Sequence, residues 1–181
     1  MLKSGKSLGL LWQLLVPGLI GVAVCVMAVQ AWTLRVSQKA LEDRMGRNLD
    51  SGLHLLQAHL APLGTKWSRD GGQLRLGDTI VAGREDVVDT AAKSIGGVAT
   101  IFSGDERVAT NLRKPDGSRA VGTRLTDPAV REAVLQQRQT YHGQSEILGQ
   151  HYLTVYEPVV DSSEQVIGIL FVGLPLSLIH I

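Results

Sequence analysis

A single cysteine among 181 residues excludes an intrachain disulfide, a CxxC redox pair and a cysteine-built zinc site. Charge of one sign is lacking too: the formal net charge is +1, so there is no basic surplus for nucleic acid and no acidic tail. Aromatic residues are only 4% of the chain, against 44% apolar residues, so the apolar excess is aliphatic and concentrated in one place. The sequence also lacks every recognisable catalytic frame: no nucleophile elbow, no P-loop, no HExxH and no carboxylate pair. His54 and His59 stand five apart, off the spacing that puts two ligands on one helical face. His142 and His151 could meet across adjacent strands, but no third ligand clusters with them. Neither an enzyme, a metal site nor a bound cofactor is expected.

What is there begins with the place the charges avoid. Between Lys6 and Arg35 no charged residue occurs, and residues 8–32, which include Cys25, are almost wholly apolar. That exceeds the roughly 20 residues a helix needs to cross a bilayer. Trp12 and Trp32 mark its two ends, where amphipathic rings favour the interface. Lys3 and Lys6 precede it without an acid, which places residues 1–7 in the cytoplasm and the remainder outside, although Arg35 and Lys39 weaken the bias. A cleaved signal peptide ending near Val29-Gln30-Ala31 and a buried core helix are the competing readings. The run is much longer than a signal-peptide core.

From residue 33 to 63 the pattern is helical. Leu34, Leu41, Met45, Leu49, Leu53, Leu56, Leu60 and Leu63 form one stripe, which Gly46 and Gly52 weaken and Pro62-Leu63-Gly64 ends. The expected partners of this stripe are the same helix of a second subunit near the membrane and the chain's own sheet further on. Beyond it the elements shorten. The spacing predicts a hairpin from Gln73–Leu76 and Thr79–Val81, and a helix from Asp86 to Ser94 capped by Asp86. Strands follow at Val98–Phe102 and Arg107–Leu112, then a helix from Thr126-Asp127-Pro128 to Gln137. Three last strands run over Tyr141–Leu148, Gln150–Val160 and Gln165–Leu174. The fold class is α+β: a transmembrane helix continuing into a long helix that packs on a five-stranded antiparallel sheet.

Five blocks in order carry a resemblance. They are Gly96-Gly-Val-Ala-Thr-Ile-Phe102, Asp105-Glu-Arg-Val-Ala-Thr-Asn111, Gly117-Ser-Arg-Ala-Val-Gly-Thr123, Tyr152-Leu-Thr-Val-Tyr-Glu-Pro158 and Gly168-Ile-Leu-Phe-Val-Gly173. Together they resemble the single Cache sensor domain of methyl-accepting chemotaxis proteins, over residues 33–175. The resemblance implies a PAS-like sheet, a ligand pocket on the face away from the long helix, a homodimer through that helix, and an inner-membrane receptor with a periplasmic sensor. Sensor histidine kinases and diguanylate cyclases carry similar domains, so the output type stays open. A membrane-anchored adaptor or a periplasmic enzyme is the alternative of another class.

Alternation along residues 150–160 puts Tyr152, Thr154 and Tyr156 on one face and Leu153 and Val155 on the other. The first face combines rings with hydroxyls, as pockets do, though a solvated face would look alike. Between Arg107 and Arg138 seven bases stand against three acids, and arginine's planar fork suits a carboxylate. Arg107 opens a strand and begins the Arg-Val-Ala-Thr110 run within the resembling block, and Arg119 precedes Gly122-Thr123. The candidate ligand-binding residues are therefore Arg107, Thr110, Arg119, Tyr141, Tyr152, Thr154 and Tyr156, for a small, anionic molecule. A bland alternative for Arg107 is pairing with Asp105 or Glu106. Residues 176–181, Leu-Ser-Leu-Ile-His-Ile, match the translation of a transposon-end sequencing adapter, and we expect them to be foreign to the protein.

Overall fold

The computed structural model describes residues 26, 27, 29, 30, 32 and 48–178. Two compact units divide the chain, Met1–Arg44 and Met45–Ile181. In the first, Val26, Met27, Val29, Gln30 and Trp32 are helical, and all five side chains are exposed. The rest of the expected span, the helix over residues 33–47 and residues 179–181 lie outside the described residues. Among those described, no helix is long and apolar enough to cross a membrane.

The second unit is built around an antiparallel sheet of the expected five strands. These are β4 (Val98–Ser103), β5 (Glu106–Thr110), β6 (Tyr141–Ile147), β7 (Gln150–Val160) and β8 (Val166–Pro175), ordered β5-β4-β8-β7-β6. Tight turns join neighbours, at Gly104-Asp105 between β4 and β5 and at Leu148-Gly149 between β6 and β7. The antiparallel ladder needs nothing longer for such pairs.

One face of the sheet carries the two longer helices. Helix α1 covers residues 48–60 and buries Leu49, Leu53, Leu56 and Leu60, the stripe expected from their spacing. Gly52, which weakens the helix in isolation, is where Ile95 packs: a Cβ there would overlap the Ile95 side chain. Helix α2 (Glu85–Ile95) buries Val87, Val88, Ala91 and Ala92 on the same core. Its N-cap is Arg84 rather than Asp86. Asp86 instead sits in the first turn, where its negative charge suits the helix dipole, and pairs with Arg84 at 2.8 Å.

The expected hairpin is a three-stranded sheet: β1 (Trp67–Asp70), β2 (Gln73–Leu76) and β3 (Thr79–Ile80). Gly71 and Gly72 both have positive φ (54° and 84°), as a tight hairpin turn of this hand requires. That glycine pair was the available sign of β1.

The other face is closed by the chain between β5 and β6. Helix α3 (Pro128–Arg131) begins at Asp127, which accepts from the Ala129 and Val130 backbone N–H groups, as expected. It widens into a π turn over Glu132–Gln136, with Gln137 N–H donating to Glu132 O, and Arg138 then takes φ 57°. Val130 and Val134 close a second core over Phe102, Phe171, Tyr152 and Tyr156. This face is therefore buried, not solvated. The expected β5 is shorter than predicted because at Asn111 the regular ladder ends: its N–H still donates to Ala99 O, but its side-chain oxygen accepts from Ala99 N–H and its side-chain amide donates to Gly97 O. His142 and His151 do not meet: they face Val155 and Glu146, and His142 lies 2.9 Å from Asp50.

Candidate functional site

Arg107 enters the second core because the two-residue turn at Gly104-Asp105 sets it opposite Phe102. Only 5% of it is exposed. Nη1 donates to Thr123 Oγ1 at 2.9 Å and to the Arg124 carbonyl at 3.2 Å. The guanidinium carbon lies 5.0 Å from the centre of the Phe102 ring, a cation–π contact. Nε, buried, has no hydrogen-bond partner. No carboxylate pairs with the group among the described residues. Asp105 and Glu106, its neighbours in sequence, are taken by Arg124 and Arg131 instead.

The loop that holds Arg107 is itself tied to β5. Arg107 N–H donates to Thr123 O, Gly122 N–H to Arg107 O, and Leu125 N–H to Asp105 O. Thr123 Oγ1, the acceptor for Arg107, donates onward to Ala120 O at 2.6 Å. A cavity of about 230 Å³ opens beside the guanidinium, and Thr123, Leu125, Asp127, Ile147 and Tyr156 share its wall. It is smaller than the pockets that take drug-sized molecules.

Burial lowers the Arg107 pKa, with Tyr156 acting weakly the other way, but a guanidinium starts so high that it stays charged. Burial also pushes the Tyr156 phenol far above its ordinary value, against the opposing pull of Arg107 and a Ser145 hydrogen bond. Tyr156 is thus a neutral donor at any physiological pH. Its ring lies 4.5 Å from Phe171 and meets Tyr141 edge-on at 6.2 Å. Asp127 accepts from Ser145 Oγ at 3.0 Å in addition to capping α3. The wall therefore offers the Arg107 cation, a neutral phenol and the Asp127 carboxylate already committed to three donors, and Arg124 and Glu146 line it as well.

Of the expected residues, the structure brings Arg107 and Tyr156 into one cavity and sets Tyr141 behind Tyr156. Tyr152 lies apart from Arg107: it lines an adjoining cavity with Arg113 and Lys114, and its hydroxyl donates to Gln150. Ile147 and Leu148, at the β6–β7 turn, border both cavities. Thr110 shares a 2.7 Å hydrogen bond with Thr100 inside the sheet, and Thr154 donates to Gly143 O. Both hydroxyls are occupied by the fold. Arg119 ties the loop to α2: it pairs with Glu85 and Asp89 at 2.9 and 2.7 Å and does not line the Arg107 cavity. Sequence reading did not bring Phe102, Thr123 or Ser145 into the site. Phe102 could have been found by counting outward from the Gly104-Asp105 turn; the other two depend on tertiary packing.

The profile of the family described as single Cache domain 3 matches residues 79–180, more than half of the chain. The chain belongs to this family. Solved structures similar to it include the sensor domain of Escherichia coli DcuS (16% identity, 54% of this chain and 69% of that one, TM-score 0.40). Another is the ligand-binding domain of the Campylobacter jejuni chemoreceptor Tlp3 in complex with L-norvaline (15%, 80% and 56%, 0.48). A third is the sensor domain of the Vibrio cholerae histidine kinase DctB (16%, 78% and 58%, 0.39). The single Cache chain thus spans little more than half the length of the last two. No curated protein matches it by sequence.

Proposed function

We propose that this single Cache chain is the extracytoplasmic sensing part of a transmembrane chemoreceptor and that it binds a small organic anion through Arg107. One observation carries the ligand reading: Arg107 is buried, charged and unpaired, with Nε free, beside a cavity. A buried charge without a counter-ion costs several kcal/mol, and a ligand carboxylate offsets that cost when it arrives. The apolar run of residues 8–32 supports the membrane anchor, and a homodimer through the long helix would give its stripe a partner near the membrane. The role is binding rather than catalysis. A histidine kinase or diguanylate cyclase receptor would use the same sensor.

Calorimetric titration of the purified full chain with small mono- and dicarboxylates, phosphate and a neutral amide tests the ligand reading. Saturable binding is expected for at least one anion and none for the amide. Equal binding of acid and amide, or no anion bound, rejects it. The topology has its own check. An export-dependent reporter fused after Leu63 is expected to be active in cells, and activity of a cytoplasm-dependent reporter at that point would overturn the extracytoplasmic placement.

A further inference from the structure

The helix-facing row of β7 reads Leu153, Val155, Glu157, Val159, and the carboxylate interrupts an otherwise apolar surface. Glu157 stands opposite Leu170 of β8 and is only partly exposed. Gln57 of α1 donates to its Oε2 at 2.8 Å. No ion pair reaches it among the described residues; His54, one turn before Gln57 on α1, is the nearby titratable group. Burial raises the Glu157 pKa, against the pull of Gln57 and His54. A carboxylate in such a row is costly unless something cationic meets it.

Beside Glu157 lies a cleft of about 280 Å³ walled by Leu60, Trp67, Leu76, Pro158, Val160 and Leu170, with Gln57 at its edge. None of its lining residues is basic. An apolar wall with one aromatic ring and one unneutralised carboxylate is complementary to an ammonium group on a short apolar body. The carboxylate takes the charge and the indole face of Trp67 suits a cation or its methylenes.

We infer that this cleft is a second ligand site, on the helix side of the sheet, which binds small aliphatic amines through Glu157. It is separate from the Arg107 cavity, which opens on the other face, and does not depend on that reading. Its occupant touches α1 directly, through Gln57 and Leu60. It also meets the first site through one peptide bond, because Tyr156 and Glu157 are consecutive and point to opposite faces. An amine here therefore bears on the same strand and helix that an anion would bear on from the other side.

The test is titration of the full chain with n-pentylamine, 1-pentanol and pentanoate, followed by calorimetry and by tryptophan fluorescence. The amine is expected to give saturable heat, with a fluorescence change that is lost in Trp67→Phe; the alcohol and the acid are expected to be at least about tenfold weaker at this site. Glu157→Gln, nearly isosteric and relieved of a buried charge, is expected to keep its melting temperature and lose about tenfold or more in amine affinity. Alcohol binding as tight as amine binding in the wild-type chain overturns the inference without any variant. So does undiminished amine affinity in folded Glu157→Gln, or the absence of saturable amine binding.

Discussion

Arg107→Met is expected to melt at a higher temperature than the parent chain in the absence of ligand, and to lose anion binding. The two effects have one cause. The guanidinium has left water for a site where it makes two hydrogen bonds through Nη1, lies over Phe102, and leaves Nε unmet. Cation–π contact at a desolvated site returns about 2 kcal/mol, less than the several kcal/mol that burying an unpaired charge costs. Methionine has similar length and bulk, keeps the packing on Phe102 and carries no charge. Thr123 Oγ1 keeps the bond it donates to Ala120 O, but it and the Arg124 carbonyl each lose the donor that Arg107 supplied, worth about 1 kcal/mol apiece. The net expectation is a modest stabilisation of about 1 kcal/mol, the low end of what is seen when buried ion pairs are replaced by well-packed apolar residues. Binding moves the other way, by about 2–5 kcal/mol, because the ligand carboxylate then enters the cavity with no cation to meet it. Thermal melts without ligand and calorimetry with it measure both. A methionine variant that melts well below the parent would make Arg107 a structural strut and remove it from the site.

Particular residues show how far the sequence could be read. The five strands were legible in part because Gly104-Asp105 and Asp127-Pro128 each act locally, through turn preference or capping. The two faces of β7 followed from alternation alone. The isolation of Arg107 did not: Asp105 and Glu106 are its neighbours in sequence, and only the fold gives them to Arg124 and Arg131. Arg119 had no local partner either, and its carboxylates came from α2, thirty residues earlier. Thr110 and Thr154 looked like ligand hydroxyls because a strand face shows which way a side chain points but not whether backbone carbonyls already claim it. Glu157 was passed over for the opposite reason. A single carboxylate in an apolar row is a weak sign until the helix above it and the cleft beside it are both in view.

The aromatic layer behind the anion cavity carries the second large effect. Phe171, on the central strand β8, is fully buried. It stacks obliquely on Tyr156 at 4.5 Å and meets Phe102 edge-on at 6.5 Å, so it backs both the phenol and the ring over which Arg107 lies. Phe171→Ala removes the transfer energy of the ring and leaves a void that a strand paired on both sides cannot collapse to fill. The expected cost is about 3–5 kcal/mol, a large part of the 5–15 kcal/mol that usually holds a domain together. Phe171→Leu, which conserves most of the volume, is expected to cost less than about 1.5 kcal/mol. Val160→Ala, at a 41% exposed position, is expected to fall within about 0.5 kcal/mol of the parent. Urea unfolding of the three variants gives the ranking directly. Anion affinity of Phe171→Leu, measured well below its midpoint, then reports whether the ring positions the site: with Tyr156 and Phe102 unsupported on one side, affinity is expected to fall even though the fold survives. A cost below about 1 kcal/mol for Phe171→Ala would mean that this layer is not the core of the sensing face. The cavity wall would then have to be drawn elsewhere.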